Sequence, residues 1–355
     1  MLQAFRRVPV LLLLVILVVA PLFVSQAEAV ASQAEAQTEP ESSGSPIDVL
    51  GKVVDHHYLA LPGYELQLPR ILLVDGEWHA YPTTQAALAS GTFVEEGGSL
   101  VPSDGSEITL DMSITAHLVY VWLGVLLTLW LTISMARRYK RGTGRETEPR
   151  GWFQNLFEIV FVFVQDEIAR QNIPGDKYRK FVPYLFAVFV AITFMNLFGL
   201  LPWGVTATAD ITVTAILAFI TFVLTQWNGS KDHWEHVFWF PGVPPLLRVI
   251  LTPIEIIGLF TKPFALAVRL FANMLSGKVM IVCILGLIFI FAELFGAAAG
   301  LGVSLFSVPL TAVLYILKAF VGILQAYIFT LLSAVFVGMA VEEHGHHEEG
   351  IEAHA

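Results

Sequence analysis

Long apolar blocks separated by short polar breaks run along most of the chain, and they set its expected elements. From Ala116, "AHLVYVWLGVLLTLWLTIS" holds no Asp, Glu, Lys or Arg. It predicts a helix long enough to cross ~30 Å of hydrocarbon at ~1.5 Å per residue. "FVPYLFAVFVAITFMNLFGLLPW" predicts a second crossing that stops at Pro202, and Ile211 to Trp227 a third. The polar, aromatic-rich "NGSKDHWEHVFWFPGVPP" then reads as a loop. Two longer apolar stretches follow, about 250 to 292 and 304 to 341, joined by the Gly/Ala-rich "FGAAAGLG". As helices, Phe264 to Phe291 alone runs ~42 Å and the last stretch ~57 Å, so the pair is expected as a long, strongly tilted antiparallel hairpin. Residues 150 to 170 mix aromatic residues with Glu158, Asp166 and Glu167, which favours an amphipathic helix lying at the interface. The expected fold class is an all-α polytopic membrane protein with five membrane-crossing helices and one interfacial helix.

Ahead of Ala116 the pattern changes. "MLQAFRRVPVLLLLVILVVAPLFVSQAEA" places Arg6 and Arg7 before an apolar core and ends on Ala27 and Ala29, the layout of a signal peptide over residues 1–29. An uncleaved first helix is the alternative, and either exports the segment that follows. Residues 30 to 45, rich in Ala, Gln, Glu, Ser and Pro, predict a disordered linker. In "YELQLPRILLVDGEWHAY" two β-prone runs flank Asp75-Gly76, a pair suited to a turn that needs positive φ, and a hairpin is expected over 64–81. "SEITLDMSI" reads as a further strand. The exported region thus spans 30–112, the membrane domain 113–341, and an acidic, His-rich tail 342–355.

Composition narrows the function. The chain is 55% hydrophobic and 14% charged, with a net charge of -10. Such a balance belongs to a membrane protein and does not favour nucleic acid, and no phosphate-cradling glycine motif is present. The lone cysteine, Cys283, sits in an apolar run, which excludes an internal disulfide and reads as a small buried hydrophobe. His56 with His57 and His233 with His236 lack a further ligand nearby. His344, His346 and His347 lie in the acidic tail, so no metal or cofactor is expected. Arg137, Arg138, Lys140, Arg141 and Arg145 follow the first span, whereas the exported segment carries only Lys52 and Arg70. The positive-inside rule therefore puts the far end of that helix, and after an odd number of spans the C-terminus, in the cytoplasm.

Inside the last two stretches polar residues are few and spaced. Glu255, Lys262 and Arg269 recur every seven residues and Asn273 follows Arg269 by four, a narrow helical stripe bent at Pro263. Lys318 and Gln325 share a face with Thr311 and Gly322. Two such stripes, on antiparallel helices, suit an aqueous path or a polar partner. Glu255 and Lys262 also read as snorkelling charges, and Asn273 and Gln325 as interhelical hydrogen-bond glue. Arg269 resists so bland a reading. A guanidinium with pKa above ~12 cannot shed its charge, and at bilayer depth it costs at least ~2.5–3.5 kcal/mol. On these stretches Glu255 lies about four turns away and Glu293 nearly seven, so the partner of Arg269 is expected on another chain.

"KPFALAVRLFANMLSGK", "LQAYIFTLLSAVFVGMAVEEH" and "MNLFGLLPW" closely resemble subunit a of the F-type ATP synthases, over roughly Ala116 to His344. The exported hairpin region, before Ile114, is expected to fall outside the shared part. The resemblance implies a non-catalytic, proton-conducting stator subunit in a bacterial inner membrane, with its N-terminus periplasmic after signal cleavage. It implies two offset half-channels against a ring of c subunits, peripheral-stalk b subunits and other synthase subunits as partners, and the lipid bilayer around them. It further implies that Arg269 faces a ring carboxylate, with Asn273 and Gln325 beside it, Glu255 near the cytoplasmic exit and Asp210 near the exported mouth. One departure stands out. Where the family often has a His/Glu pair, this chain has Lys278 and Lys318. Two facing amines repel each other and incoming protons, so one is expected to be neutral or to reach an acid such as Glu293. A secondary transporter binding an anion at Arg269 is the alternative, although no repeat with paired broken helices is evident. A membrane enzyme would need a nucleophile or metal set, and no HExxH, GxSxG or Cys cluster is present.

Overall fold

The computed structural model describes residues 58–61, 64–96, 99–106, 108–141, 151–201, 204–238 and 245–342. The expected signal peptide, linker and His-rich tail, together with Lys52, His56, His57, Arg145 and Pro202, lie outside the described residues.

The described part ahead of Ala116 is a small β-rich module. β1 (Tyr58–Leu61) pairs antiparallel with β2 (Tyr64–Gln67), and β3 (Arg70–Val74) with β4 (Glu77–Tyr81). The β3–β4 turn is at Asp75-Gly76, both at positive φ as the sequence predicts. A short helix α1 (Thr84–Ala89) follows, started by the Thr83 side chain, which accepts from the Ala86 N–H at 3.1 Å. β5 (Phe93–Glu96) pairs with β6 (Ser99–Pro102), and β7 (Ile108–Asp111) joins the other side of β3. Leu72, Val74, Ala87, Phe93 and Leu100 form its core. Arg70 is buried, 4.0 Å from the Asp111 carboxylate and donating to the Thr84 hydroxyl at 3.3 Å. The single expected hairpin plus one strand is thus part of a larger module, whose extra elements are too short to carry a periodic signal.

This module passes without a slack linker into the membrane. Beyond β7 the Met112 N–H donates to the Ile71 carbonyl at 2.8 Å, and the Ile114 N–H to the Pro69 carbonyl at 3.2 Å. The next residue, Thr115, caps helix α2 (Ala116–Lys140), whose last turn carries Arg137, Arg138 and Lys140. α3 (Trp152–Phe163) continues through a π-helical turn, Val164–Ala169, to Asn172. α4 (Tyr178–Phe198) holds the centre, with Tyr184, Leu185, Phe186, Ile192 and Met195 all buried. α5 (Ile211–Trp227) meets α6 (Lys231–Phe238) at a 106° bend, α6 lying inside the expected polar loop. α7 (Pro245–Phe295) and α8 (Ala297–Val341) complete the domain.

Among the described residues four helices are long and apolar enough to cross a membrane, or five if the bent α5–α6 pair counts as one. The protein is mostly helical and polytopic. Two expectations are corrected. The "FGAAAGLG" linker is helical except at Gly296, where φ is +89°; alanines favour helix, and one glycine suffices to reverse the chain. Cys283 is exposed, because the outer face of this domain is itself apolar. Helices α7 and α8 run antiparallel, Ala292 meeting Gly300, Gly277 meeting Lys318, and Asn273 bonding Gln325.

Close approach has a specific dependence at Gly338, where an added Cβ collides with the Asn172 carbonyl, a backbone atom that cannot swing aside. At Gly302 an added Cβ meets nothing within 4 Å. Gly338→Ala is therefore expected to lower the stability of the purified protein by ~1–3 kcal/mol, the usual cost of overpacking, read as a drop in melting temperature. Gly302→Ala serves as the control and should melt at or slightly above the parent temperature.

Candidate functional site

Arg269 sits in the middle of α7, on the outer face of the chain. Its neighbours Leu266, Ala267 and Leu270 are buried and dock the helix, which leaves the guanidinium on the opposite, exposed side. It makes no hydrogen bond or ion pair with any described residue. One turn on, the Asn273 side-chain amide donates to the Gln325 side-chain oxygen at 2.8 Å, bridging α7 and α8. Gln325 is 1% exposed, and its own amide nitrogen has no partner among the described residues. The sequence-predicted stripe on α8 is realised: Thr311, Lys318, Gly322 and Gln325 are all buried, and Ser307 extends it.

The structure adds two residues that the sequence pattern did not single out. Asn196 of α4 is buried; its amide donates to the Gly322 carbonyl at 2.8 Å and its oxygen accepts from the Thr208 hydroxyl at 2.5 Å. A polar thread thus runs from the turn before α5, through Asn196, to within one helical turn of Gln325. At its outer end Asp210 caps α5, accepting from the Thr212 N–H at 2.7 Å. The available signal was Asn196 itself, a lone amide in an apolar helix, which usually marks an interhelical bond.

Lys318 is 9% exposed, with its carbon stem lying 3.6 Å from where a Cβ on Gly277 would sit. Its charge is felt by Lys278 and the reverse. The expected reach to Glu293 is not made: that carboxylate is exposed and pairs with no described residue. Glu255 and Lys262 lie half-buried toward the start of α7, near His233 of α6. Burial first, and then the charge of Lys262, hold the His233 imidazole below the usual histidine range, while Glu255 pulls the other way. Chemically, the arrangement offers one permanent cation aimed out of the chain and a buried line of amides and hydroxyls behind it. Such a cation binds and ionises an approaching carboxylic acid, but does not itself relay protons.

A sequence profile described as ATP synthase A chain matches residues 118–338, more than half of the chain. ATP synthase subunit a of Chloroherpeton thalassium is 42% identical over 247 residues, 69% of this chain and 70% of that protein. The Myxococcus xanthus protein of that name is 40% identical over 280 residues, 77% of this chain and 86% of its own. ATP synthase subunit a 2 of Prosthecochloris aestuarii is 36% identical over 362 residues, 99% of this chain and 97% of that protein. This last likeness extends through the N-terminal β-rich module, which the sequence motifs alone had placed outside the shared part.

Replacing Asn196 by Leu leaves the Thr208 hydroxyl without its partner in an apolar interior and takes from the Gly322 carbonyl the second of its two donors, the first being the N–H of its own helix. The expected cost is ~1–3 kcal/mol for the unpaired hydroxyl, measured as a lower melting temperature of the purified protein. An unchanged melting temperature would mean that the polar thread contributes nothing to packing.

Proposed function

Because the chain belongs to the ATP synthase subunit a family, the proton-conducting stator subunits of the membrane sector, we propose that Arg269 is the fixed charge meeting ring carboxylates one at a time. The subunit translocates protons and is not itself catalytic. The observation that carries the proposal is that a permanent cation stands exposed at the middle of a long apolar helix with no partner among the described residues. The transporter alternative finds no support in these relatives.

In the proposed cycle a proton enters by one half-channel and neutralises a carboxylate on the c-ring. The neutral group can then turn through lipid, where an ion cannot go without a large desolvation cost. Near the end of the circuit it meets Arg269, whose charge favours the ionised form, and the proton leaves by the second half-channel. Arg269 also repels protons that would cross directly between the half-channels. Each elementary charge falling through ~100 mV releases ~2.3 kcal/mol for rotation.

Asp210, Asn196, Gln325 and Asn273 are assigned to the exported-side path, and Glu255 to the cytoplasmic exit. Lys278 and Lys318 border the exported-side path. Five spans, with α5 as the third and α6 outside the membrane, fit this orientation. So does an exported N-terminal region that follows a signal peptide in a bacterial inner membrane, with a cytoplasmic C-terminus. The c-ring and peripheral-stalk b subunits are the proposed partners.

The test is Arg269→Ala in the assembled synthase, with ATP-driven proton pumping followed in inverted vesicles. Pumping should be lost while the c-ring still co-purifies; normal pumping would overturn the proposal, and Arg269→Gln replaces a variant that fails to assemble. A second measurement concerns the amines. Lys278→Met with Lys318→Met removes two like charges, so the pH profile of proton conduction should shift. An unchanged profile would make both lysines spectators.

A further inference from the structure

A narrow cleft lies between α5, α7 and α8, with His233 of α6 at one end. Its two ends differ in character. Thr225, Gln226, His233 and Lys262 gather where α5 finishes, whereas Ala218, Phe222, Leu266 and Phe336 line the rest with Leu259 and Met339. Gln226 and His233 hold each other through a 3.2 Å hydrogen bond. Lys262 makes no hydrogen bond or ion pair with a described residue, so the polar end carries an uncommitted ammonium.

The level of this end is marked independently. Trp227, which closes α5, is 87% exposed, and Trp234 and Phe238 of α6 stack on each other with their outer faces open. Tryptophans in that setting sit at the headgroup layer of a bilayer. Basic pockets between membrane helices at that depth receive anionic lipid headgroups. We propose that the cleft holds one anionic phospholipid of the adjoining leaflet, its phosphodiester against Lys262 and the Gln226 amide, and an acyl chain along Phe222, Leu259 and Leu266. The site attracts an anion through Lys262, and Glu255 nearby offsets part of that attraction. It therefore suits a singly charged phosphodiester better than inorganic phosphate, whose second charge Glu255 would repel. This inference does not use the role of Arg269, so pumping by Arg269 variants and occupancy of the cleft report separately.

The experiment reconstitutes the intact synthase in phosphatidylcholine vesicles containing a little phosphatidylglycerol with a photoactivatable acyl chain. Label is expected on the peptides carrying Phe222, Leu259 and Leu266. Lys262→Gln should lower it about fivefold, the equivalent of ~1 kcal/mol for one basic residue at an anionic surface. Leu259→Trp, which narrows the apolar part, should lower it as well, and a phosphatidylcholine probe should label the parent only at the reduced level. Inorganic phosphate in excess should leave the labelling unchanged. Equal labelling by both probes, or labelling indifferent to both substitutions, would overturn the proposal. So would competition by inorganic phosphate, which would point to a free anion. Fast modification of Leu259→Cys by a membrane-impermeant thiol reagent would overturn it too, since a cleft filled by an acyl chain excludes water.

Discussion

A guanidinium that finds no counter-charge among the described residues of its own chain is the constraint around which the membrane domain is arranged. Arg269 cannot lower its cost by losing a proton, and no described acid reaches it. The chain supports it instead by packing the other side of α7. Leu266, Ala267 and Leu270 lock that helix inward, and Asn273 ties the next turn to Gln325 of α8. Behind α8 stands α4, whose middle turns are buried all round. Three layers of helix thus give this exposed charge a rigid mount.

The polar groups of this domain divide into two kinds. Most hydroxyls bond back to their own helix: Thr128 to the Gly124 carbonyl, Thr221 to Leu217, Thr330 to Ala326 and Ser333 to Phe329. In hydrocarbon a polar atom must be satisfied somewhere, and bonding at home leaves the helix surface smooth. Asn196, Asn273 and Gln325 do the opposite and reach across to another helix. The crossing amides cluster behind Arg269, and the home-bonded hydroxyls populate the scaffold around them. Geometry alone thus separates the amides that tie helices together from the hydroxyls that stay on their own helix.

Much of this was legible in the chain. Asp75-Gly76 announced its turn, the apolar run from Ala116 its helix, and the run from about Ile211 to Trp227 its helix α5. The seven-residue spacing of Lys318 and Gln325 placed them correctly on one buried face. What escaped had physical reasons. The six residues of α1 and the four-residue strands β5 and β6 are shorter than any period needs to become visible. Asn196 acquires its meaning only from Gly322 and Thr208, one of them more than a hundred positions away. Cys283 misled because, in a membrane, apolar character no longer distinguishes inside from outside.

The reversal between α7 and α8 is confined to one residue, Gly296, and the helices on either side continue unbroken for 51 and 45 residues. Nothing in so tight a turn absorbs a change of length. One residue added to either arm near the turn would rotate everything beyond it by ~100°. Gln325 and Lys318 would leave the shared face together, and Asn273 would lose its acceptor. The hairpin is therefore fixed in count: an insertion or deletion in either arm acts as a frameshift in space.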